Sequence, residues 1–282
     1  MLSLTQRAAR VRRIERLLER MHGRQAWKRQ GAGLDMLVEA MLAQNTNLSN
    51  ALAGYKQLRR AFPTWSKVLA APVGDVQRHI AICGLARMRA RRLHALLQRL
   101  KEERGKLSID FLADMDVRAA EEYLLSFHGV GPKTAGYTLL FAFGMPIFPV
   151  DNGILRVARR LRLVRLIARD AEAGKVLAQI TPPKRIYSLH VLMFTHSKKL
   201  CRPKNPKCDE CLLLDLCPHG QRRMRHRPPD PIVRVNGRPV IRSRYASAGI
   251  AKRGKGENEG VAQRDRPFTE VTRRGRIDSR SI

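Results

Sequence analysis

Aromatic and acidic residues are both scarce in this 282-residue sequence. Phe, Trp and Tyr make up 5% of it, and 24 Asp+Glu stand against 55 Lys+Arg, which gives a formal net charge of +31. So few aromatic side chains argue against a surface that stacks successive bases of single-stranded nucleic acid. The unbalanced positive charge indicates a polyanionic partner, and nucleic acid is the first candidate.

Long hydrophobic runs and dispersed cysteines are also missing. The longest apolar segment, residues 137–150, is interrupted by Gly144, Pro146 and Pro149. Because a membrane-spanning helix needs about 20 apolar residues, we expect no such helix. Four of the five cysteines lie between positions 201 and 217. This clustering argues against a disulfide framework and favours ligands kept reduced in a cytoplasmic protein.

Helical periodicity dominates residues 1–217. Apolar residues recur at intervals of three and four, as in Ile14, Leu17, Leu18 and Met21, and polar residues lie between them. Glycine and proline breakers divide this region into roughly ten short helices without a convincing strand. The sequence therefore predicts an all-α body.

Residues 218–282 have a different composition, with 17 Lys+Arg, 6 Asp+Glu and few large apolar residues. We expect a basic, mostly disordered tail. Within it, Asn236 and Gly237 separate two short β-branched runs in segment 232–241, which predicts a β-hairpin that Pro239 weakens.

A glycine turn between two predicted helices is the most informative local pattern. Gly129, Val130 and Gly131 form the turn, and Pro132 suits the first position of the second helix. Free N–H groups at such a turn can hold a phosphate oxygen without reading a base. We therefore predict that these three residues contact DNA; an ordinary helix–helix connection is the alternative.

Lys133 and Asp151 are the candidate catalytic residues. Lys133 lies in the first turn of the second helix, where the helix dipole disfavours a cation. A surface lysine gains nothing there, whereas a partly buried nucleophilic lysine gains a larger fraction of free amine. Asp151 precedes another predicted helix, so it is either an N-cap alone or also a carboxylate that stabilises a developing cation.

The four clustered cysteines are candidate metal ligands, separated by six, two and five residues: Cys201, Cys208, Cys211 and Cys217. A zinc site usually joins two close pairs, and only one is present. An iron–sulfur cluster tolerates uneven spacing, so spacing alone leaves both metals open. Between the first two ligands, Lys204 and Lys207 belong to a basic loop that we predict to contact phosphates, unless it is only a solvated charge run.

The stretch His128-Gly-Val-Gly-Pro-Lys-Thr-Ala135, followed by Val150-Asp151, resembles the signature of the endonuclease III family of helix-hairpin-helix DNA glycosylases. The resemblance covers about residues 10–217. It implies an all-α fold with two lobes, about 30–135 with the hairpin and 1–29 with 136–217. Because the family has the same cysteine spacing after its last helix, the resemblance also implies a [4Fe–4S] cluster.

The resemblance implies an activity and roles for single residues. A damaged base is flipped out of duplex DNA, Lys133 attacks the sugar and forms a Schiff base, and elimination cuts the strand. Gln44 fills the gap left by the nucleotide, and Leu85 is a wedge in the base stack. The family usually has Thr-His after the aspartate, where this sequence has Asn152 and Gly153.

The implied partner is double-stranded DNA with damaged bases or abasic sites, bound by a monomer in the cytoplasm at the nucleoid. Two other functions stay open. One is a monofunctional glycosylase for mismatched adenine or an alkylated base, in which Lys133 acts only electrostatically. The other is a non-catalytic DNA-binding protein that uses the hairpin and the basic tail, but it leaves Lys133 and Asp151 without a purpose.

Overall fold

The computed structural model describes residues 3–226, 232–235 and 238–241. In these ranges it has twelve α-helices, and the prediction of an all-α body is confirmed. The first six are α1 (Leu4–His22), α2 (Gly33–Leu42), α3 (Leu48–Ala61), α4 (Trp65–Ala70), α5 (Val73–His79) and α6 (Ala86–Arg104). The others are α7 (Val117–Leu125), α8 (Pro132–Phe143), α9 (Asn152–Arg160), α10 (Asp170–Ile180), α11 (Ile186–Lys199) and α12 (Pro218–Arg225).

Four short 3-10 helices connect these elements, at Ala81–Cys83, Asp110–Asp114, Pro183–Arg185 and Leu214–Leu216. None of the helices in the described ranges is both long and apolar enough to cross a membrane.

Polar side chains determine where several helices begin. Ser3 and Gln6 form a capping box on α1, and Asn47, Asp116 and Asp151 each accept a backbone N–H in the first turn of α3, α7 and α9. Such caps satisfy N–H groups that have no partner within the helix. The cap on α9 therefore fixes both the start of that helix and the position of the Asp151 carboxylate.

Buried apolar side chains form two clusters. One contains residues of α2–α7 and the first part of α8. The other contains α1, the last part of α8, α9–α11 and the chain around Leu213 and Leu216. Helix α8 contributes Leu139 to the first cluster and Phe141 to the second, and it packs along α2. It therefore joins the two cores and brings its N-terminus to the boundary between them.

The ordered body extends past Cys217, where the tail was predicted to begin. Helix α12 follows directly because Pro218 occupies its first turn and the Cys217 thiol accepts the Gly220 N–H. The two strands of the predicted hairpin are present: β1 (Ile232–Val235) and β2 (Arg238–Ile241) pair antiparallel, and the predicted turn at Asn236 and Gly237 lies outside the described residues. The rest of the predicted disordered tail lies outside the described residues.

Candidate active site

A cavity of about 110 Å³ lies where α2, α8, α11 and the start of α9 meet. Three of the predicted site residues, Gln44, Lys133 and Asp151, line it although they are far apart in sequence. The wall is otherwise mostly apolar, and the full lining is Ala40, Ala43, Gln44, Lys133, Thr134, Tyr137, Phe141, Pro149, Asp151, His190, Val191 and Phe194.

Lys133 lies in the first turn of α8, where the positive end of the helix dipole faces it. Its side chain is exposed, so the expectation of partial burial was wrong; the next residue, Thr134, is the one that is buried. The amine therefore lies at the open side of the cavity, where a large substrate can reach it.

Asp151 is half-buried and caps α9. Its Oδ1 accepts the backbone N–H of Ile154 at 2.7 Å. Its other oxygen makes no hydrogen bond to any residue of the described segment 3–226. One oxygen is therefore fixed by the backbone, and the second is left for a group in the cavity.

Gly153 departs from the family pattern for a steric reason. A Cβ atom at this position would lie 2.4 Å from Oγ of Ser197 on α11, which is far below a contact distance. Ser197 is itself buried and donates a hydrogen bond to the Phe194 carbonyl at 2.7 Å. The histidine that the family has at this place could not be accommodated here unless Ser197 moved.

The glycine hairpin presents two of its three predicted donors. Gly129 has a φ of +88°, and a Cβ atom there would lie 2.6 Å from Cδ of Arg92, so glycine is required. The N–H groups of Gly129 and Gly131 make no hydrogen bonds within residues 3–226. Val130 offers no free donor, because its N–H donates to the Phe127 carbonyl and its side chain is buried, so its predicted DNA contact stays a prediction without support from this geometry.

Gln44 and Leu85 lie on two connections next to the hairpin. Nε2 of Gln44 donates to the Gly129 carbonyl at 2.8 Å and to Oγ1 of Thr134 at 3.1 Å. Leu85 is 60% exposed and has a φ of +51°, a conformation that costs a leucine free energy. An exposed, strained leucine has no packing reason to be there, which favours a functional role.

Arg89 connects these two segments and was missed from the sequence. Its buried guanidinium donates to the Gly84 carbonyl at 2.8 Å, to the Met41 carbonyl at 2.5 Å and also to the Gln44 carbonyl. Arg89 lies in register with Leu93, Leu96 and Leu100 on the apolar face of α6. A cation in that stripe was the signal that could have identified it.

His190 is a second residue that sequence reasoning missed. It lines the cavity from α11 and is 7% exposed, with Phe141 and Phe148 packed against its ring. Burial lowers its pKa to about 4, and the nearby Asp151 carboxylate only partly opposes that shift. The imidazole is therefore neutral at neutral pH. No motif in the sequence pointed to it.

The four clustered cysteines are free, half-buried thiols around a second, smaller cavity between α9, α11 and α12. Arg160 donates to the Cys201 sulfur at 3.2 Å, and burial raises the pKa of Cys211 to about 11. Within the described residues no three His, Cys, Asp or Glu side chains converge as on a single metal ion. Four thiols around a cavity fit a multi-iron cluster better, since each then binds its own iron.

The basic loop offers less charge than its sequence suggested. Lys204 is exposed, but the Lys207 ammonium forms an ion pair with the Glu210 carboxylate at 3.0 Å. Of the two lysines predicted to contact DNA, Lys204 is the better placed.

Two family models match the chain. Residues 38–183 match the HhH-GPD superfamily base excision DNA repair protein model. Residues 201–217 match the iron–sulfur binding domain of endonuclease III. The second match contains all four clustered cysteines and confirms the predicted iron–sulfur cofactor.

Similar proteins cover different shares of the chain. Endonuclease III of Rickettsia felis is 31% identical over 184 residues, 64% of this chain and 81% of that protein. The DNA glycosylase/AP lyase ROS1 of Arabidopsis thaliana is 30% identical over 172 residues, 55% of this chain. The chain spans only 12% of ROS1, and 56% of another Arabidopsis thaliana protein named as a DNA glycosylase.

A solved non-covalent endonuclease III–DNA complex has the same fold. Its TM-score is 0.66 at 25% sequence identity, and the match covers 80% of this chain and 100% of that one. A thermostable thymine-DNA glycosylase has a TM-score of 0.63 at 19% identity, which shows the fold alone; the match covers 77% of this chain and 97% of that one. With a family model matching more than half of its length, the chain belongs to the HhH-GPD superfamily of base excision DNA repair proteins.

Proposed function

We propose that this protein removes a damaged base from duplex DNA and then cuts the strand at the abasic site. One observation carries the proposal: an exposed lysine amine and a half-buried carboxylate, Lys133 and Asp151, line one cavity beside the glycine hairpin. A nucleophile, a group that stabilises positive charge and a phosphate-binding turn are the parts that this chemistry needs.

The proposed reaction begins with the Lys133 amine in its free form. Its nitrogen bonds to C1′ of the sugar, and the C1′–base bond breaks so that the base leaves with the electron pair. The nitrogen then loses a proton, the C1′–O4′ bond breaks with its electron pair going to O4′, and O4′ takes up that proton, which leaves a Schiff base at C1′. Loss of a C2′ proton and departure of the 3′ phosphate with its bonding electrons cut the strand. The Asp151 carboxylate stabilises the positive charge on the sugar and accepts the lysine proton.

The proposed DNA contacts surround this cavity. The N–H groups of Gly129 and Gly131 would hold a phosphate oxygen, and Lys204 would contact the backbone farther away. Leu85 would enter the base stack. Because it is exposed in the protein, this insertion would remove few of its contacts with the core. Gln44 would have to release the Gly129 carbonyl before it could fill the space of the flipped nucleotide.

We assign the cluster a structural role. The residues that would hold it are Cys201, Cys208, Cys211 and Cys217. When bound, it supplies thiolate–iron bonds that fix the C-terminal loop and thereby Lys204. The proposal also includes action as a monomer, in the cytoplasm at the nucleoid. Free cysteines and the net charge of +31 support that part.

The test is borohydride trapping on duplexes with an abasic site or a damaged base. Wild type and the charge-matched control Lys175→Gln, an exposed lysine of α10, should give a trapped complex and cut DNA. Lys133→Gln should give neither, because glutamine has no nucleophilic amine. Base release by wild type without trapping would indicate a monofunctional glycosylase. DNA binding without any reaction would indicate the non-catalytic alternative.

A further inference from the structure

The polar residues of the cavity are arranged by depth. Lys133 is exposed, Asp151 is half-buried and His190 is 7% exposed, so His190 lies deepest. In the proposed reaction the sugar must meet the lysine and the carboxylate at the mouth. The base attached to that sugar therefore extends inward, toward the imidazole.

The hydrogen bonding of the His190 ring is incomplete within the protein. Within residues 3–226, its buried Nδ1 has no hydrogen-bond partner of normal geometry, and the Pro149 backbone makes only a weaker contact with the ring. A buried polar atom without a partner costs free energy, and nearly all such atoms in folded proteins are satisfied. Because His190 also lines the cavity, a ligand there can complete the hydrogen bonding of the ring.

The protonation state of His190 limits what it can do. Burial lowers its pKa to about 4; the Lys133 ammonium lowers it further, while the Asp151 carboxylate and the Pro149 backbone oppose this. At neutral pH the ring therefore offers one N–H donor and one acceptor nitrogen, with no charge. Such a ring is suited to reading the edge of a base and is unsuited to donating a proton as a general acid.

The rest of the wall favours an uncharged base. Tyr137, Phe141 and Phe194 provide ring surfaces for a planar ligand. Asp151, at the mouth, is the one carboxylate among the cavity-lining residues of the described segment, so the deep wall offers no negative charge to a positively charged alkylated base.

We propose that His190 selects the substrate by hydrogen-bonding the polar edge of an uncharged, extruded base. The inference rests on the proposed glycosylase function and deepens it. It makes His190 a specificity residue that contacts the base and leaves the strand-cutting step to Lys133 and Asp151.

The test compares two substrates of one duplex sequence, one with a damaged base and one with a ready-made abasic site. The damaged bases to be tested are three uncharged ones, 5,6-dihydrothymine, uracil and 8-oxoguanine, and one cationic base, 7-methylguanine. Wild type should remove an uncharged base. His190→Phe keeps a ring of similar size without nitrogen, so base removal should fall ten- to hundredfold, because a polar group is left unpaired. Cutting of the abasic duplex should change less than threefold.

His190→Gln provides the rescue and covers the case in which the phenylalanine variant does not fold. It keeps a donor and an acceptor, so it should recover part of the lost base removal. The assignment would be overturned if the rate of His190→Phe fell equally on both duplexes or on neither. It would also be overturned if wild type removed only the cationic base. A wild type that leaves the abasic duplex uncut would instead contradict the proposed function, so the two failures are distinguishable.

Discussion

Asp151 combines a helix cap with the proposed catalytic carboxylate, and one substitution separates the two roles. Asparagine caps a helix about as well as aspartate. The free energy of unfolding of Asp151→Asn should therefore lie within about 1 kcal/mol of the wild-type value. The variant should bind lesion DNA at least as tightly, because a negative charge beside the phosphates is gone. Base removal should fall by orders of magnitude, because the charge that stabilises the sugar cation is lost.

The control is Asp116→Asn, since Asp116 also caps a helix, α7, and its Oδ1 accepts the Arg118 N–H at 2.8 Å. Binding, single-turnover base release and chemical unfolding would be measured for both. A comparable loss of rate in the control would mean that the cap, and not the carboxylate charge, matters.

Glu39 predicts an unusual pH dependence of stability. It is buried on α2, and burial, followed by repulsion from Asp35, raises its pKa to about 8. Between pH 4.5 and 8 the folded state keeps a proton that the unfolded chain releases, so stability falls as pH rises. From pH 5 to pH 7 the free energy of unfolding of wild type should fall by about 2 kcal/mol relative to that of Glu39→Gln.

Urea unfolding at the two pH values measures this difference. Glu172→Gln, on an exposed glutamate of α10, serves as the control and should follow wild type. A Glu39→Gln variant whose stability follows that of wild type across this range would refute the buried, protonated carboxyl.

The candidate site residues that the sequence could identify belong to a contiguous motif, and the structure places two of them on one cavity. Lys133 and Asp151 were identified because turn, proline and cap follow one another along the chain. Arg89, Glu39 and His190 were missed because their surroundings come from helices far apart in sequence. Spacing also cannot show that the Val130 N–H already donates to the Phe127 carbonyl and is therefore not free for a phosphate.

At the level of elements, the Leu85 loop combines backbone strain with exposure. Leu85→Gly should raise the free energy of unfolding by up to about 1 kcal/mol, because glycine adopts the left-handed conformation without cost. The same variant should process lesion duplexes more slowly, because the proposed wedge is gone. Increased stability with decreased activity distinguishes a functional residue from a structural one.

Arg162→Gly is the matched control, because Arg162 has a φ of +57° and is also exposed. It should gain similar stability and keep its activity. Unchanged lesion processing in Leu85→Gly would refute the wedge.

Helix boundaries were predictable where glycine or proline interrupts the pattern, as at Gly105 and Pro132. The end of the body was not. Helix α12 is short and strongly basic, and composition alone assigned it to the tail. Its position depends on the Gly220 N–H bond to the Cys217 sulfur, a contact that composition does not reveal.

For the molecule as a whole, two truncations test where the ordered body ends. A chain that ends after His226 keeps α12, including the bond from Gln221 to the Asp215 carbonyl at 2.8 Å. It should keep the visible absorption of the cluster, and its midpoint of thermal unfolding should lie within about 2 °C of that of the full chain. A chain that ends after Cys217 should lose the visible absorption and unfold at a lower temperature, because the Cys217 ligand loses its hydrogen-bond donor. Equal behaviour of the two chains would mean that α12 does not support the cluster.

The covalent bond between protein and DNA tests the proposed chemistry most directly. Wild-type protein would be reduced with borohydride on a duplex with an abasic site, digested, and mapped by mass spectrometry. We expect the sugar remnant on Lys133, the lysine that lines the cavity with Asp151. A remnant on the N-terminal amine or on a distant lysine such as Lys175 would contradict the assignment of the hairpin lysine as the nucleophile.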